Sequence, residues 1–161
     1  MSLSKFENKI VNQFLHTVAV TNETEIQRQK IFEQIKQTLA QVLDESVIIT
    51  TFGSGPLKTY LPDSDIDITI LFKESFLKGT KLDPKCKIGS KEFNVVKNIL
   101  ISCSEELDIE DVIFIDAEVK LIKFRCQEIP IDISFNQIGG VCTLEYLETV
   151  DNILAKDHLF K

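Results

Sequence analysis

The sequence predicts one mixed-sheet α/β domain of the α+β type, in which a β-sheet is flanked by helices. The chain has 161 residues, and one compact core typically serves roughly 100–200 residues. Its 43% hydrophobic and 27% charged content matches ordinary globular proteins and argues against disordered and fibrous classes. Helical and strand patterns follow one another in the order helices, two strands, helix, three strands, helix.

Two helices are predicted before the first strand. The short one is marked by apolar residues at helical spacing, namely Phe6, Ile10, Val11, Phe14 and Leu15. The long one begins at 22–25, where Asn22 supplies a capping side chain and glutamates supply first-turn acids. Because apolar residues continue at helical spacing, it is expected to run to about Leu43.

The first two strands flank a turn. Residues 47–52 are rich in β-branched side chains and end at Gly53-Ser54-Gly55-Pro56, a composition typical of a strand entering a turn. Residues 65–72 begin with alternating polar and apolar side chains, which indicates a strand with two different faces. A loop over 73–89 and a helix over 90–101 are expected to follow.

The remaining segments complete the domain. Three short β-rich runs predict strands at 112–117, 119–124 and 129–135. Helical spacing returns over 143–154 and predicts a final helix.

Charge and cysteine usage limit the function classes. The net charge of −7 argues against a general basic surface that coats nucleic acid. One local excess runs from 73 to 97, where seven lysines face three acids; it is either a solvated face or a patch that steers phosphates. The four cysteines are widely spaced and are expected to be buried thiols in a reducing compartment: Cys86, Cys103, Cys126 and Cys142.

No apolar run is long enough for a signal sequence or for a membrane helix of ~18 residues. A cytoplasmic or nuclear protein that is not secreted and has no membrane partner is therefore expected. His16 and His158 are expected to be surface or packing residues rather than catalytic ones.

Two acidic side chains at the start of the second strand form a candidate metal site. Asp65 and Asp67 are two residues apart, so both point to one face, about 7 Å apart along the backbone. Their charges repel, and a divalent cation such as Mg²⁺ would neutralise that repulsion. An exposed strand end with two acids is the alternative.

A third acid, Asp132, stands between isoleucines in a run that otherwise resembles a buried strand. Aspartate is rarely buried without a partner. It either lies at a strand edge, or pairs with a lysine such as Lys120 or Lys123, or completes a two-metal site of the polymerase type.

Gly53 and Ser54 are candidates for binding phosphate. A glycine lets the backbone approach a ligand closely, and a serine brings N–H and hydroxyl donors to phosphate oxygens. A plain turn is the alternative. What favours phosphate binding is their place at the end of a β-run, one loop ahead of Asp65.

The order of these features resembles the signature of the DNA polymerase beta-like nucleotidyltransferases. In that signature a strand is followed by Gly-Ser, a loop, Asp-x-Asp and a later Asp. The amino-acid sequence around these motifs resembles one branch of that superfamily more closely, the non-canonical poly(A) polymerases and terminal uridylyltransferases. The resemblance spans roughly 23–161 and is carried by Phe52-Gly53-Ser54, Tyr60-Leu61-Pro62-Asp63-Ser64-Asp65-Ile66-Asp67, Val119-Lys120-Leu121-Ile122-Lys123-Phe124 and Ile131-Asp132-Ile133-Ser134-Phe135.

The resemblance implies a nucleotidyltransferase palm with Mg²⁺ or Mn²⁺ as cofactor. It implies that Asp65 and Asp67 hold both metals and that Asp132 binds the metal activating the attacking 3′-hydroxyl. Gly53 and Ser54 would grip the nucleoside triphosphate, and an RNA 3′ end would be extended by in-line attack on the α-phosphorus.

The resemblance also implies a domain division. Residues 1–22 are expected to form a helical arm, 23–156 the catalytic domain, and 157–161 the start of a helical domain that reads the base in relatives. Three functions stay open: an enzyme completed by a second domain or protein partner, a palm retained as a structural or nucleotide-binding subunit, and a small single-domain transferase. In relatives, that helical domain also chooses between ATP and UTP.

Overall fold

The computed structural model describes residues 5–43, 47–72, 90–117 and 120–154. The expected loop over 73–89, most of the lysine-rich patch, the tail at 157–161, Cys86 and His158 lie outside these residues. No helix among the residues described is long and apolar enough to cross a membrane.

The predicted order of elements is confirmed. The helices are α1 (Lys5–Val18), α2 (Asn22–Ala40), α3 (Ser90–Ser102) and α4 (Ile138–Leu154). The strands are β1 (Val47–Thr51), β2 (Ile66–Phe72), β3 (Ile109–Asp116), β4 (Lys120–Cys126) and β5 (Ile129–Phe135).

The long helix α2 differs slightly from its prediction at both ends. Its N-cap is Thr21 rather than Asn22, because the Thr21 hydroxyl accepts a hydrogen bond from the Thr24 N–H at 3.2 Å. It ends at Ala40 rather than Leu43, and residues 41–43 form a turn.

The strands form one mixed sheet in the order β1-β2-β5-β4-β3. β2 and β5 pair in parallel, whereas the other three neighbouring pairs are antiparallel. The parallel pair places the starts of β2 and β5 side by side.

One face of the sheet is buried beneath α2 and α3. Side chains alternate between the faces of a strand, and the buried set on this face is Ile66, Ile68, Ile70, Ile122, Phe124, Ile131, Ile133 and Phe135. The helices cover them with Ile31, Phe32, Ile35 and Leu39 of α2 and Phe93, Val96, Ile99 and Leu100 of α3. Each large apolar side chain contributes about 1.5–3 kcal/mol on burial, so this layer holds the strands in register.

Two elements begin several residues earlier than predicted, each for a local reason. β3 begins at Ile109, three residues early, because an irregularity between Glu110 and Ile113 separates its first residues from the β-rich run that predicted the strand. α4 begins at Ile138 rather than at 143, so that Gly139 and Gly140 belong to its first turn.

The cysteine prediction is only partly correct. Cys126 is buried, its thiol donates to the Leu107 carbonyl at 3.0 Å, and burial raises its pKa to about 11. Cys142, in contrast, is exposed on α4, because helical residues on the side away from the sheet remain in solvent.

Candidate active site

Asp67 and Asp132 are direct neighbours across the parallel strands β2 and β5. Because paired residues of adjacent strands point to the same face, both carboxylates lie on the face opposite the helices. Asp65 directly precedes β2 and, two residues from Asp67, shares that face. The sheet thus brings the three predicted acids to one end of one face.

A lysine extends this row onto the next strand. Lys123 of β4 is the antiparallel partner of Asp132, and its ammonium donates a hydrogen bond to the Asp132 carboxylate. The sequence offered an ion pair of Asp132 with a lysine as one alternative. The structure contains this pair, with Lys123 rather than Lys120 as the partner. The Lys120 ammonium instead lies 5.2 Å from the centre of the Phe93 ring.

The carboxylates of this face repel one another. The pKa of Asp67 is raised, first by burial and then by the charges of Asp65 and Asp132, while Lys123 and Arg28 partly oppose the shift. The pKa of Lys123 is also raised, chiefly by its hydrogen bond to Asp132. The face therefore carries excess negative charge that a cation would stabilise.

Gly53 stands against the Asp67 carboxylate. It has a φ of 73°, and a Cβ at this position would lie 2.6 Å from Asp67 Oδ2. Both the left-handed backbone and the close approach require glycine. The adjoining backbone is tied to the same strand, since the Phe52 N–H donates to the Asp67 carbonyl at 3.1 Å.

Ser54 follows Gly53 in the turn over 53–58. The turn is closed by two backbone hydrogen bonds, from the Lys58 N–H to the Gly55 carbonyl at 3.0 Å and from the Thr59 N–H to the Ser54 carbonyl at 3.1 Å. Gly53 and Ser54 thus lie in one turn beside Asp67.

Arg28 is a residue of the site that sequence reasoning missed. It is 7% exposed, and its guanidinium donates to the carbonyls of Ser64 at 2.9 Å and Asp65 at 2.5 Å. It also stacks 4.2 Å from the centre of the Tyr60 ring, and burial lowers its pKa. A signal was present, because Arg28 precedes Ile31 by three and Ile35 by seven, and so lies on the buried face of α2.

A cavity of about 160 Å³ lies between α2, β1 and the Gly53 turn. Arg28, Phe52, Tyr60 and Asp67 are among its lining residues. The opening thus adjoins the acidic face.

The donor chemistry of the three aspartates fits Mg²⁺ or Mn²⁺, which bind carboxylate oxygens. Within the ranges that the structure describes, however, no three acidic, histidine or cysteine side chains are arranged as they stand to hold a metal ion. Asp132 is instead engaged by Lys123. The three carboxylates lie on one face of the sheet, but that of Asp132 is paired with the ammonium of Lys123.

The family model of the mitochondrial-like poly(A) RNA polymerase central palm domain matches residues 8–151. The chain belongs to this family. As predicted, it is a palm domain of the non-canonical poly(A) polymerase and terminal uridylyltransferase type. Poly(A) RNA polymerase cid14 of Schizosaccharomyces pombe is 29% identical to this palm domain over 143 residues, which are 88% of the chain but 19% of cid14.

Solved structures confirm the fold of the palm domain. The Cid1 poly(U) polymerase in its MgGTP-bound form matches with a TM-score of 0.68 and 15% identity, covering 92% of this chain and 43% of Cid1. The GLD-2/RNP-8 complex matches with a TM-score of 0.68 and 16% identity, covering 89% of this chain and 52% of the matched one. The palm domain spans about half or less of the length of these relatives.

Proposed function

We propose that this palm domain is the catalytic part of a template-independent RNA nucleotidyltransferase, which adds nucleotides to a 3′-hydroxyl by two-metal catalysis. The observation that carries the proposal is the placement of Asp67 beside Asp132, with Gly53 against the Asp67 carboxylate. Family membership supports it, since the relatives are poly(A) and poly(U) polymerases.

Each residue has a role in this proposal. Asp65 and Asp67 would hold both ions, and Asp132 would hold the ion nearer the 3′-hydroxyl. The ions, when bound, would stabilise the attacking and leaving oxygens of the in-line displacement. Gly53 and Ser54 would offer donors to the triphosphate, because a glycine turn lets backbone N–H groups approach phosphate oxygens.

We further propose that a second domain or a protein partner completes the cleft. Support comes from large apolar side chains left exposed on α1 and α4: Phe14 at 64%, Tyr146 at 67% and Ile153 at 75%. In this division, 1–22 form an arm, 23–156 the catalytic domain and 157–161 the beginning of the next domain. Productive transfer needs the primer and the α-phosphate held in near-attack geometry, which a bare palm does not provide.

A second candidate is a palm retained as a non-catalytic structural or nucleotide-binding subunit. The ion pair of Lys123 with Asp132 favours it, because an internal cation already neutralises one of the three carboxylates. The two candidates differ in turnover, so an activity measurement separates them.

The test is extension of a labelled RNA primer with Mg²⁺ or Mn²⁺ and each nucleoside triphosphate. The chain alone is compared with a form that continues into a helical domain, each with and without Asp65→Ala and Asp67→Ala. We expect little extension by the chain alone and robust extension by the longer form, abolished by either substitution. Asp63→Ala is the matched control, since it removes an exposed acid two residues from Asp65.

The outcomes separate the candidates. Robust extension by the lone monomeric chain would show that a second domain is dispensable. Absence of extension by the longer form, together with stable association with a larger assembly, would favour the structural subunit.

Nucleotide binding by the chain alone provides a separate test. Because the proposed contacts address phosphates and metal, ATP and UTP should bind with similar affinity in calorimetry, and both should require the divalent ion. A strong preference for one base would place base recognition within these 161 residues.

A further inference from the structure

The ion pair between Lys123 and Asp132 is asymmetric in its exposure to solvent. The Lys123 side chain is 39% exposed, whereas the Asp132 side chain is 15% exposed. Lysine is a strongly hydrated point charge on a flexible stem. The ammonium can therefore move into water without burying a charge, while the strand holds the carboxylate in place.

The second cation of the site lacks this freedom. Arg28 is 7% exposed, and its guanidinium is held by two backbone carbonyls and the Tyr60 ring. Lys123, by contrast, has a carboxylate partner that belongs to the proposed metal-binding set. Of these two cations, only Lys123 both occupies a proposed metal ligand and can withdraw from it.

We propose that Lys123 is a resident counter-ion of the site, which holds the Asp132 carboxylate until a divalent cation displaces its ammonium. This inference rests on the proposed function, because it requires Asp132 to bind metal. It accounts for two observations together: the three acids share one face of the sheet, and their side chains as they stand hold no metal-ready cluster within the described part of the chain.

The role has a consequence for metal affinity. A divalent ion must break the Lys123 pair before it can use Asp132, so the lysine lowers the apparent affinity for metal. It also stabilises the metal-free face, because its ammonium neutralises one of the three carboxylates that share this face.

The test is direct titration of the chain with Mn²⁺. Binding is measured by calorimetry or by the decrease in the electron paramagnetic resonance signal of the free ion. Lys123→Met should bind Mn²⁺ with a dissociation constant about fivefold lower than the unchanged chain, the size expected for losing one competing surface pair. Lys123→Arg, which keeps the charge, should stay within about twofold.

Arg125→Met is the matched control. Arg125 lies two residues from Lys123 on β4, and its guanidinium pairs with Glu128 at 2.8 Å rather than with the aspartates. Its removal changes the net charge as Lys123→Met does, but it should leave Mn²⁺ affinity within about twofold. An equal rise in both variants would mean that net charge, not the ion pair, controls affinity, and would overturn the proposal.

Thermal melting gives a second readout. Because a ligand that binds more tightly stabilises the folded state more at the same concentration, Mn²⁺ should raise the melting temperature of Lys123→Met more than that of the unchanged chain. If Lys123→Met does not fold, Lys123→Gln replaces it. The unchanged chain adds a further check, since Mg²⁺ should shift the nuclear magnetic resonance signals of the Lys123 side chain, and Asp67→Ala should remove the shift.

Failure of this inference and failure of the proposed function can be told apart. Mn²⁺ binding by the unchanged chain with equal or weaker binding by Lys123→Met would overturn the counter-ion role alone. No Mn²⁺ binding by any form would remove the metal site itself, and the counter-ion role with it.

Discussion

The guanidinium of Arg28 donates a 2.5 Å hydrogen bond to the backbone carbonyl of Asp65. Through this bond and its neighbour to Ser64, helix α2 fixes the backbone immediately before β2. The backbone of Asp65, the first of the three acids in the chain, is thus held by a helix that packs on the opposite face of the sheet. The Arg28 guanidinium bonds to backbone carbonyls and not to the carboxylates proposed as metal ligands, so we regard Arg28 as a positioning residue.

Arg28→Met should destabilise the fold by about 2–4 kcal/mol, because two partly buried carbonyls lose a charged donor that is itself buried. Arg28→Lys should recover only part of the loss, since a lysine lacks the fork that reaches both carbonyls. Chemical denaturation measures the change. Lys36→Met on the same helix is the control and should stay within about 0.5 kcal/mol. Equal effects at the two positions would remove any special role for Arg28.

Gly53→Ala should be destabilising by roughly 2–4 kcal/mol, since the left-handed backbone and the contact of Cβ with Asp67 Oδ2 each add a cost. It should also weaken Mn²⁺ binding by displacing the Asp67 carboxylate. Gly55→Ala is a control two residues away, where a Cβ meets nothing within 4 Å. We expect that variant to change unfolding free energy by less than about 1 kcal/mol. Unfolding curves that coincide for the two variants would contradict the assigned role of Gly53.

Two adjacent glycines of α4 should respond in opposite directions. A Cβ at Gly140 would lie 2.5 Å from Phe52 Cδ2, so Gly140→Ala should destabilise by about 1–3 kcal/mol through overpacking. A Cβ at Gly139 meets nothing within 4 Å, and Gly139→Ala should be neutral or stabilising by up to about 1 kcal/mol through helix propensity. Thermal or urea unfolding decides the sign. Stabilisation of both variants would mean that the Phe52 ring moves aside without loss.

The pH dependence of stability follows from the raised pKa of Asp67. The folded chain holds this proton more tightly than the unfolded chain, whose aspartates titrate near pH 3.9. The contribution of Asp67 to stability is therefore fully present below that pH and is lost as pH rises through the folded pKa.

Asp67→Asn should accordingly raise the unfolding free energy of the metal-free chain at neutral pH, within the ~0.5–2 kcal/mol typical of stabilising substitutions. Denaturation in chelator at several pH values measures it, and the gain should disappear at acid pH. Added Mn²⁺ should stabilise the unchanged chain but not the variant. Asp63→Asn, at an exposed position, should behave like the unchanged chain. A loss of stability in Asp67→Asn at neutral pH would show that the ionised Asp67 carboxylate does not destabilise the folded chain.

The sequence by itself determined the class of elements, their order and the family. Helical and strand spacing are local properties, because burial selects apolar residues at the period of each element. The bounds of β5 agree with the prediction, and Asp65, Asp67 and Asp132 were predicted as site residues because acids in apolar strands are conspicuous. The early starts of β3 and α4 were missed because a bulge and two glycines hide the local pattern.

Only the tertiary structure decided which residues meet. The register of β2 with β5 and of β5 with β4 placed Asp67, Asp132 and Lys123 in one row. No spacing along the chain encodes such a row, because strand pairing is set by packing of the whole apolar face. The same holds for Arg28 and Asp65, which are far apart in sequence and joined only once α2 packs on the sheet. The pair of Lys123 with Asp132 likewise exists only once β2, β5 and β4 are aligned in the sheet.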